Sequence, residues 1–182
     1  MHSNPSRRRL LATFGTLGAC ALAAGPRWAQ AAAPATPRAL RLDNLHTGEK
    51  LSVEYFSGEA YLPDALGAVN HLLRDFRTGD VGTMDAGLLD LLHSLALFTA
   101  SSRPFQVISG YRSPATNAAL HRRSSGVASG SLHMRGQAID IRLADVPLAT
   151  LRDAARSLQR GGVGYYPASD FVHVDTGRVR TW

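Results

Sequence analysis

The sequence predicts a single α+β domain in which a small antiparallel sheet, the one that bears the candidate metal ligands, packs against helices. Two observations support this class. Short apolar runs with two-residue alternation, typical of strands, are interleaved with longer segments whose apolar residues recur every three or four positions, typical of helices. No internal repeat or further linker follows Arg38, and 182 residues suffice for one domain with a substantial core.

The first predicted elements are a hairpin and two helices. Apolar and polar residues alternate through 40–55 around the turn His46-Thr47-Gly48, which predicts a β-hairpin. A helix is expected to begin at Pro63 and end at Gly79. A second and more apolar helix is predicted over 85–100, in a central position. The predicted apolar face of the first helix comprises Leu66, Val69, Leu72, Leu73 and Phe76.

The second half of the chain interleaves short strands with helices. A Gly-Gly pair ends the last helical pattern, and β-branched or aromatic residues fill the strand patterns. The predicted elements are a strand over 105–108, a helix over 114–123, a loop over 124–131, a strand over 137–143, a helix over 147–162, and strands over 163–166 and 171–174.

The formal charge of +6 belongs mostly to the N-terminus. Arg7, Arg8, Arg9 and Arg27 lie among the first 31 residues, which contain no acid, and the remaining chain has 16 basic and 14 acidic side chains. Lys50 is the only lysine, and no basic stripe with interleaved aromatic residues is present. The sequence therefore argues against a nucleic-acid-binding protein.

Residues 1–31 are predicted to be a twin-arginine-type signal peptide. Adjacent arginines in Ser6–Leu11 precede an apolar run, and Ala29-Gln30-Ala31 fits a small-x-small cleavage site. The run is too short and glycine-rich to span a bilayer comfortably, so no transmembrane helix is expected after cleavage. We expect export to the periplasm, with a general secretory signal as the alternative. Residues 32–38 read as a linker, followed by the folded domain over 39–182.

Cys20 raises a second alternative for the N-terminus. Leu17–Cys20 is similar to a lipoprotein processing box, which would leave a lipid anchor on Cys20, although the apolar stretch continues to the conventional cleavage site. Because Cys20 is the only cysteine, the mature domain offers no disulfide and no thiolate. Any metal site must be built from His, Asp and Glu.

The stretch "SLHMRGQAIDI" places His133 and Asp140 seven residues apart, in a loop and in the following strand. Ile139 and Ile141 share one face of that strand, which puts Asp140 on the other. In "FVHVD" the same alternation separates His173 from the valines on either side of it. If the two strands are neighbours, Asp140 and His173 point into one cleft, over which His133 could close.

Two histidines and one aspartate have the composition of a catalytic zinc site, in which water takes the fourth position. Zinc lowers the pKa of such a water from 15.7 towards about 7 and polarises a carbonyl. From spacing alone the alternative stays open, because a histidine beside glycine and an aspartate in a strand are common without any metal.

Three motifs add a family resemblance. "SxHxxGxAxD" over Ser131–Asp140 resembles the zinc signature of the D-Ala-D-Ala metallopeptidase superfamily, which includes lysostaphin-type enzymes and the hedgehog domain. "SGYRS" over Ser109–Ser113 and "FVHVDTG" over Phe171–Gly177 are similar to two further motifs. With "GGVGYYP", their order resembles the murein endopeptidase K group over nearly the whole chain.

The resemblance implies that residues 39–182 form a zinc metallopeptidase domain acting in the periplasm. It implies one Zn²⁺ held by His133, Asp140 and His173. It also implies a hydrolase activity, the cleavage of peptide cross-links in peptidoglycan, with a role in cell wall biogenesis. Peptidoglycan is then the expected partner, and the sequence does not identify any protein partner.

Three further residues are candidates for catalysis. Arg112 could hold a substrate carbonyl or carboxylate and stabilise an oxyanion, or simply fix its turn through backbone hydrogen bonds. Related peptidases have an acid three residues before the last ligand, here Asp170, which strand parity places opposite His173 unless the strand begins later. Asp175 shares the face of His173 and could accept a proton or orient that ligand.

Tyr165, Tyr166 and Trp182 could line the groove or pack the last strands.

Two other functions are compatible with these residues. A D,D- or L,D-carboxypeptidase that trims stem peptides would use the same metal chemistry in a groove closed at one end. A non-catalytic, zinc-stabilised cell-wall binding module would keep the fold without activity. The sequence does not distinguish 3–3 from 4–3 cross-links as the bond cut.

Overall fold

The computed structural model describes Met1, residues 36–123 and residues 128–182, and within them one sheet packs against helices. The predicted signal peptide after Met1 and residues 124–127 of the predicted loop lie outside the described residues. The strands are β1 (Arg38–Asn44), β2 (Lys50–Phe56), β3 (Phe105–Ser109), β4 (Ala138–Leu143), β5 (Gly162–Tyr166), β6 (Phe171–Asp175) and β7 (Arg180–Thr181). The helices are α1 (Pro63–Leu72), α2 (Ala86–Thr99), α3 (Pro114–Arg123) and α4 (Leu148–Leu158).

The seven strands form one sheet in the order β2-β1-β3-β4-β6-β5-β7. This arrangement confirms the α+β class, but the sheet is larger than predicted and mixed rather than purely antiparallel. The β1–β3 and β5–β7 pairs are parallel, and the other four pairs are antiparallel. The candidate ligand strands, β4 and β6, lie side by side within the antiparallel part.

The predicted hairpin is confirmed by the β1–β2 register, which pairs Leu40 with Val53 and Leu42 with Leu51. Leu40 and Leu42 are buried because alternation turns them towards the core. Asn44 closes the turn, since its side-chain oxygen accepts from the backbone N–H of His46 at 2.9 Å.

Helix α1 ends at Leu72, so the predicted extension to Gly79 is wrong. The chain instead forms a turn in which Asp75 N–H donates to the Asp80 carbonyl at 2.9 Å and Gly79 N–H donates to the Asp75 carbonyl at 2.7 Å. The Asp75 carboxylate also accepts from the backbone N–H of Arg77 at 3.0 Å. An aspartate that bonds nearby backbone groups in this way competes with helical hydrogen bonding, which explains the early end.

Helices α2 and α4 cover the core face of the sheet. Asp85 caps α2 by accepting from Gly87 N–H at 2.9 Å, and five leucines of α2 are buried. Helix α4 packs on α2, β4, β5 and β6. It stops before the predicted residue 162 because Gln159 takes a left-handed conformation with φ +52°. In the described part of the chain, no helix combines the length and apolarity needed to cross a membrane.

Candidate metal centre

The sheet brings Asp140 and His173 together. They are directly paired across the antiparallel β4–β6 ladder, so their side chains leave the sheet on the same face. Ile139, Ile141 and Val172 are fully buried on the opposite face. The alternation predicted from the sequence is therefore what places both polar groups on the open side of the sheet.

His133 reaches the same place from a 3₁₀ turn over Leu132–Arg135. The Ser131 hydroxyl accepts from the His133 N–H at 3.4 Å at the start of the turn, and Gly136 ends it with φ +66°. A Cβ on Gly136 would overlap the Thr83 carbonyl, so the tight return of the chain into β4 requires glycine here. His133 is only 2% exposed.

Three ligand-type atoms converge at this point. His133 Nε2 lies 3.2 Å from His173 Nδ1 and 3.3 Å from Asp140 Oδ1, and His173 Nδ1 lies 2.8 Å from Asp140 Oδ1. A tetrahedral ion with ligands at about 2.0–2.1 Å separates them by about 3.3 Å along each edge. The observed triangle is close to one face of such a tetrahedron, so the residues present fit a small divalent metal.

The other nitrogen of each ring has an acceptor. His133 Nδ1 donates to the Gly110 carbonyl at 2.7 Å, and His173 Nε2 donates to Asp175 Oδ2 at 3.1 Å. These bonds fix both neutral tautomers with their lone pairs facing the Asp140 carboxylate. At such distances, two lone pairs and a carboxylate are held together by a proton or a metal ion between them.

The electrostatics also favour an ionised carboxylate. Burial alone would raise the pKa of Asp140, but His133 and His173 together hold that pKa well below its usual range. Burial would lower the pKa of His173, yet hydrogen bonds to Asp140 and Asp175 raise it. The centre is therefore built to hold positive charge next to Asp140.

Arg112 lies beside this centre, in the loop after β3. Its Nη2 is 3.6 Å from Asp140 Oδ2 and 3.4 Å from Ser109 Oγ, and its backbone N–H donates to the His133 carbonyl at 3.2 Å. The side chain is buried, which lowers its pKa, and its Nε–H has no hydrogen-bond partner within the described residues. The Nε atom itself is buried, although the Arg112 residue lines the cavity above the three atoms.

The structure separates the two candidate acids. Strand β6 begins at Phe171, one residue after Asp170, which has φ +54° and an exposed carboxylate paired with Arg142 outside the cavity. Asp175 is fully buried, and besides His173 it contacts Arg180 Nη2 at 2.7 Å. Burial would raise the pKa of Asp175, but hydrogen bonds from His173, Arg180 and two backbone N–H groups keep it well below its usual range.

A cavity of about 560 Å³ opens over the three atoms. One wall includes Arg112 and the loop before His133, and the opposite wall is aromatic, formed by Tyr166, Phe171 and Trp182. Tyr165 takes the other face of β5, packing against the core.

The sequence did not predict Arg180 as the partner of Asp175 or the Gly110 carbonyl as the acceptor for His133. It could have separated Tyr165 from Tyr166, because adjacent residues of a strand point to opposite faces.

Comparisons with known proteins identify the family of the chain. A family model described as "Peptidoglycan L,D-endopeptidase MepK" matches residues 32–182. The protein of that name in Escherichia coli K12 is 45% identical over 177 residues, covering 97% of each chain. A "probable peptidoglycan L,D-endopeptidase MepK" of Haemophilus influenzae is 46% identical over 147 residues, covering 80% of this chain and 79% of the relative. The chain belongs to the peptidoglycan L,D-endopeptidase MepK family.

Proposed function

We propose that this protein is a zinc-dependent peptidoglycan endopeptidase that hydrolyses peptide cross-links between stem peptides. The observation that supports it most directly is the convergence of His133 Nε2, Asp140 Oδ1 and His173 Nδ1 on one point beneath an open cavity. Relatives over nearly the whole chain are named peptidoglycan L,D-endopeptidases, and we extend that activity to this chain.

The donor set favours zinc among divalent metals. Two imidazoles and one carboxylate at tetrahedral spacing suit zinc, whereas magnesium and calcium take six or more oxygen ligands. When bound, zinc would supply a Lewis acid that polarises the scissile carbonyl and activates water at neutral pH. The fourth coordination position, which the three protein ligands leave open, would face the cavity, where the substrate enters.

Arg112 would bind the substrate carbonyl oxygen as negative charge develops on it. The guanidinium is held next to Asp140, and Arg112 lines the cavity into which the three candidate ligand atoms face. Because the group is buried, its hydrogen bond to a developing oxyanion would act in a site that excludes most water, where such interactions are strongest.

Asp175 would orient His173 rather than touch substrate. Its two oxygens are occupied by His173, Arg180 and the N–H groups of Gly162 and Gly177. The proton-accepting role assigned to Asp170 or Asp175 stays a prediction for both. Asp175 contacts a ligand histidine, and Asp170 would have to leave Arg142 to reach the cavity.

The proposed substrate also indicates where the protein acts. Peptidoglycan lies outside the cytoplasmic membrane, so an enzyme that cleaves it works in an extracytoplasmic compartment, here the periplasm. Export by the twin-arginine route, with cleavage after Ala31, is the route we propose from the adjacent arginines Arg7, Arg8 and Arg9.

Digestion of purified cross-linked sacculi would test the proposal, with products resolved by chromatography and mass. We expect wild-type protein to convert muropeptide dimers to monomers, with activity lost after chelation and restored by zinc. The His133→Ala variant should be inactive, and His71→Ala, an exposed histidine of α1, is the matched control.

Two results would contradict the proposal. Shortened stem peptides with unchanged dimers would indicate a carboxypeptidase. Stoichiometric zinc with no change in any muropeptide would indicate a binding module.

A further inference from the structure

Trp182 and Tyr166 form a hydrogen-bonded pair at the aromatic wall of the cavity. Trp182 Nε1 lies 2.7 Å from the Tyr166 hydroxyl oxygen. The Trp182 ring also lies 5.3 Å from the His173 ring, measured between centroids, so the pair borders the metal centre directly.

The direction of this hydrogen bond is not ambiguous. An indole Nε1–H can only donate, so the Tyr166 oxygen must accept. The phenolic proton is therefore directed elsewhere, and no acceptor for it is found in residues 36–123 and 128–182. Since Tyr166 lines the cavity, its O–H is a donor prepared for whatever the cavity binds.

The surroundings hold both rings in place. Two backbone hydrogen bonds fix Trp182. Its N–H donates to the Val163 carbonyl at 3.2 Å, and the Trp182 carbonyl accepts from the Tyr165 N–H at 3.1 Å. The Tyr166 ring stacks on Phe171 with centroids 4.6 Å apart and planes 22° apart.

Gly164 makes the arrangement possible. It is paired with His173 on the open face of the sheet, and a Cβ there would lie 2.8 Å from both the Trp182 and the Tyr166 rings. A side chain at this position would push the two rings away from the sheet, so the missing Cβ is what allows them to pack beside the metal centre.

We propose that Tyr166 contacts the substrate, donating its hydroxyl proton to a carbonyl or carboxylate oxygen of the cross-link peptide, and that Trp182 is the positioning residue that orients this hydroxyl. The inference rests on the proposed function for the identity of the ligand. Its structural basis, a fixed donor at the cavity wall, is independent of that function.

Substitutions that remove one atom or one N–H test the proposal. Tyr166→Phe should lower kcat/KM for cross-link release roughly ten- to hundred-fold, the effect of losing one directed donor to the substrate. Trp182→Phe keeps an aromatic ring without the N–H and should cost roughly three- to ten-fold. The double variant should match Tyr166→Phe within about two-fold, because no hydroxyl is left to orient. Zinc content should stay unchanged in all three.

Tyr165→Phe is the matched control, since Tyr165 lies on the other face of β5. A Tyr166→Phe variant within about two-fold of wild type would overturn the substrate contact. If the kcat/KM losses of the two single variants multiply in the double variant, the positioning role is overturned, because the two side chains would then act separately.

Two further readouts do not depend on turnover. The Trp182 indole N–H resonance, distinguished from that of Trp28 by its loss in Trp182→Phe, should move upfield in Tyr166→Phe and stay in place in Tyr165→Phe. An unmoved resonance would overturn the hydrogen bond. Affinity for a purified cross-linked muropeptide, titrated with the metal removed, should also fall in Tyr166→Phe. If the wild type is inactive and Tyr166→Phe binds the muropeptide as tightly as the wild type, both proposals are overturned. If the wild type is inactive but Tyr166→Phe binds more weakly, the substrate contact stands and only the endopeptidase function is overturned.

Discussion

His173 Nδ1 and Asp140 Oδ1 face each other at 2.8 Å across two directly paired residues of neighbouring strands. The ladder fixes the backbone positions of both residues and the face they share, because Ile139 and Val172 anchor the opposite face in the core. The position of the candidate metal site is therefore a property of the sheet register.

Metal removal should lower stability as well as activity. The three candidate ligand atoms converge at a spacing that suits a metal ion, and a ligand that binds only the native state at 100 times its Kd adds about 2.7 kcal/mol to the free energy of unfolding. We expect one zinc per chain by elemental analysis and a Tm that rises with zinc. His173→Ala should abolish the rise, and a rise of equal size in that variant would contradict the assigned site.

Arg180→Gln should weaken zinc binding without touching a ligand. Arg180 Nη1 and Nη2 bind the two oxygens of Asp175, which in turn accepts from His173. Loss of an outer partner of this type costs about ten-fold or more in metal affinity. Competition with a chromogenic chelator would measure it, and the exposed neighbour Arg178→Gln should keep wild-type affinity.

Asp170→Asn distinguishes the two candidate acids. The Asp170 carboxylate is exposed and paired with Arg142 outside the cavity, so we expect sacculus digestion to fall by less than about three-fold. An acid–base residue would contribute about 10²–10⁴-fold. A loss in that range, at unchanged zinc content, would identify Asp170 as the proton acceptor.

Asp75 should make the fold sensitive to acid. Burial alone would raise its pKa, but hydrogen bonds from Thr116, Ser113 and the backbone lower it from 3.8 to about 2. A lowered native pKa contributes stability that is complete above about pH 4 and lost as the pH falls towards 2. We expect on the order of 1–2 kcal/mol. Urea unfolding across this pH range should show that the wild type loses this stability. Asp75→Asn should lose less, and the control Asp80→Asn should lose as much as the wild type.

Two glycines should respond oppositely to alanine. Gly67 lies inside α1 with open space around its Cβ position, so Gly67→Ala should add about 0.5–1 kcal/mol to the free energy of unfolding. Gly136 has φ +66° and no room beside Thr83, so Gly136→Ala should remove about 3 kcal/mol or more. Denaturant unfolding measures both, and a neutral Gly136→Ala would contradict the tight return into β4.

Local pattern was enough to predict the ligand strands. The alternation around Asp140 and His173 is a two-residue period, and the structure keeps it. The end of α1 was not predicted, although the Asp75 bond to Arg77 N–H is local; the Asp75 side chain is also held by Ser113 N–H, 38 positions away, and no local pattern shows that contact. Strand β7 has only two residues, too few for a pattern, and the contact of its Arg180 with Asp175, five positions earlier, depends on the turn between β6 and β7.

The division of labour between sheet and loops has a consequence for how this protein can change. Paired strands supply Asp140 and His173 as well as Tyr166 and Phe171, whereas other parts of the cavity lining come from the loop before His133 and from the turn at Pro167–Ser169. Loops tolerate substitution and insertion far better than paired strands do. Exchange of those loop segments would therefore change part of the cavity lining while Asp140 and His173 keep their places in the sheet.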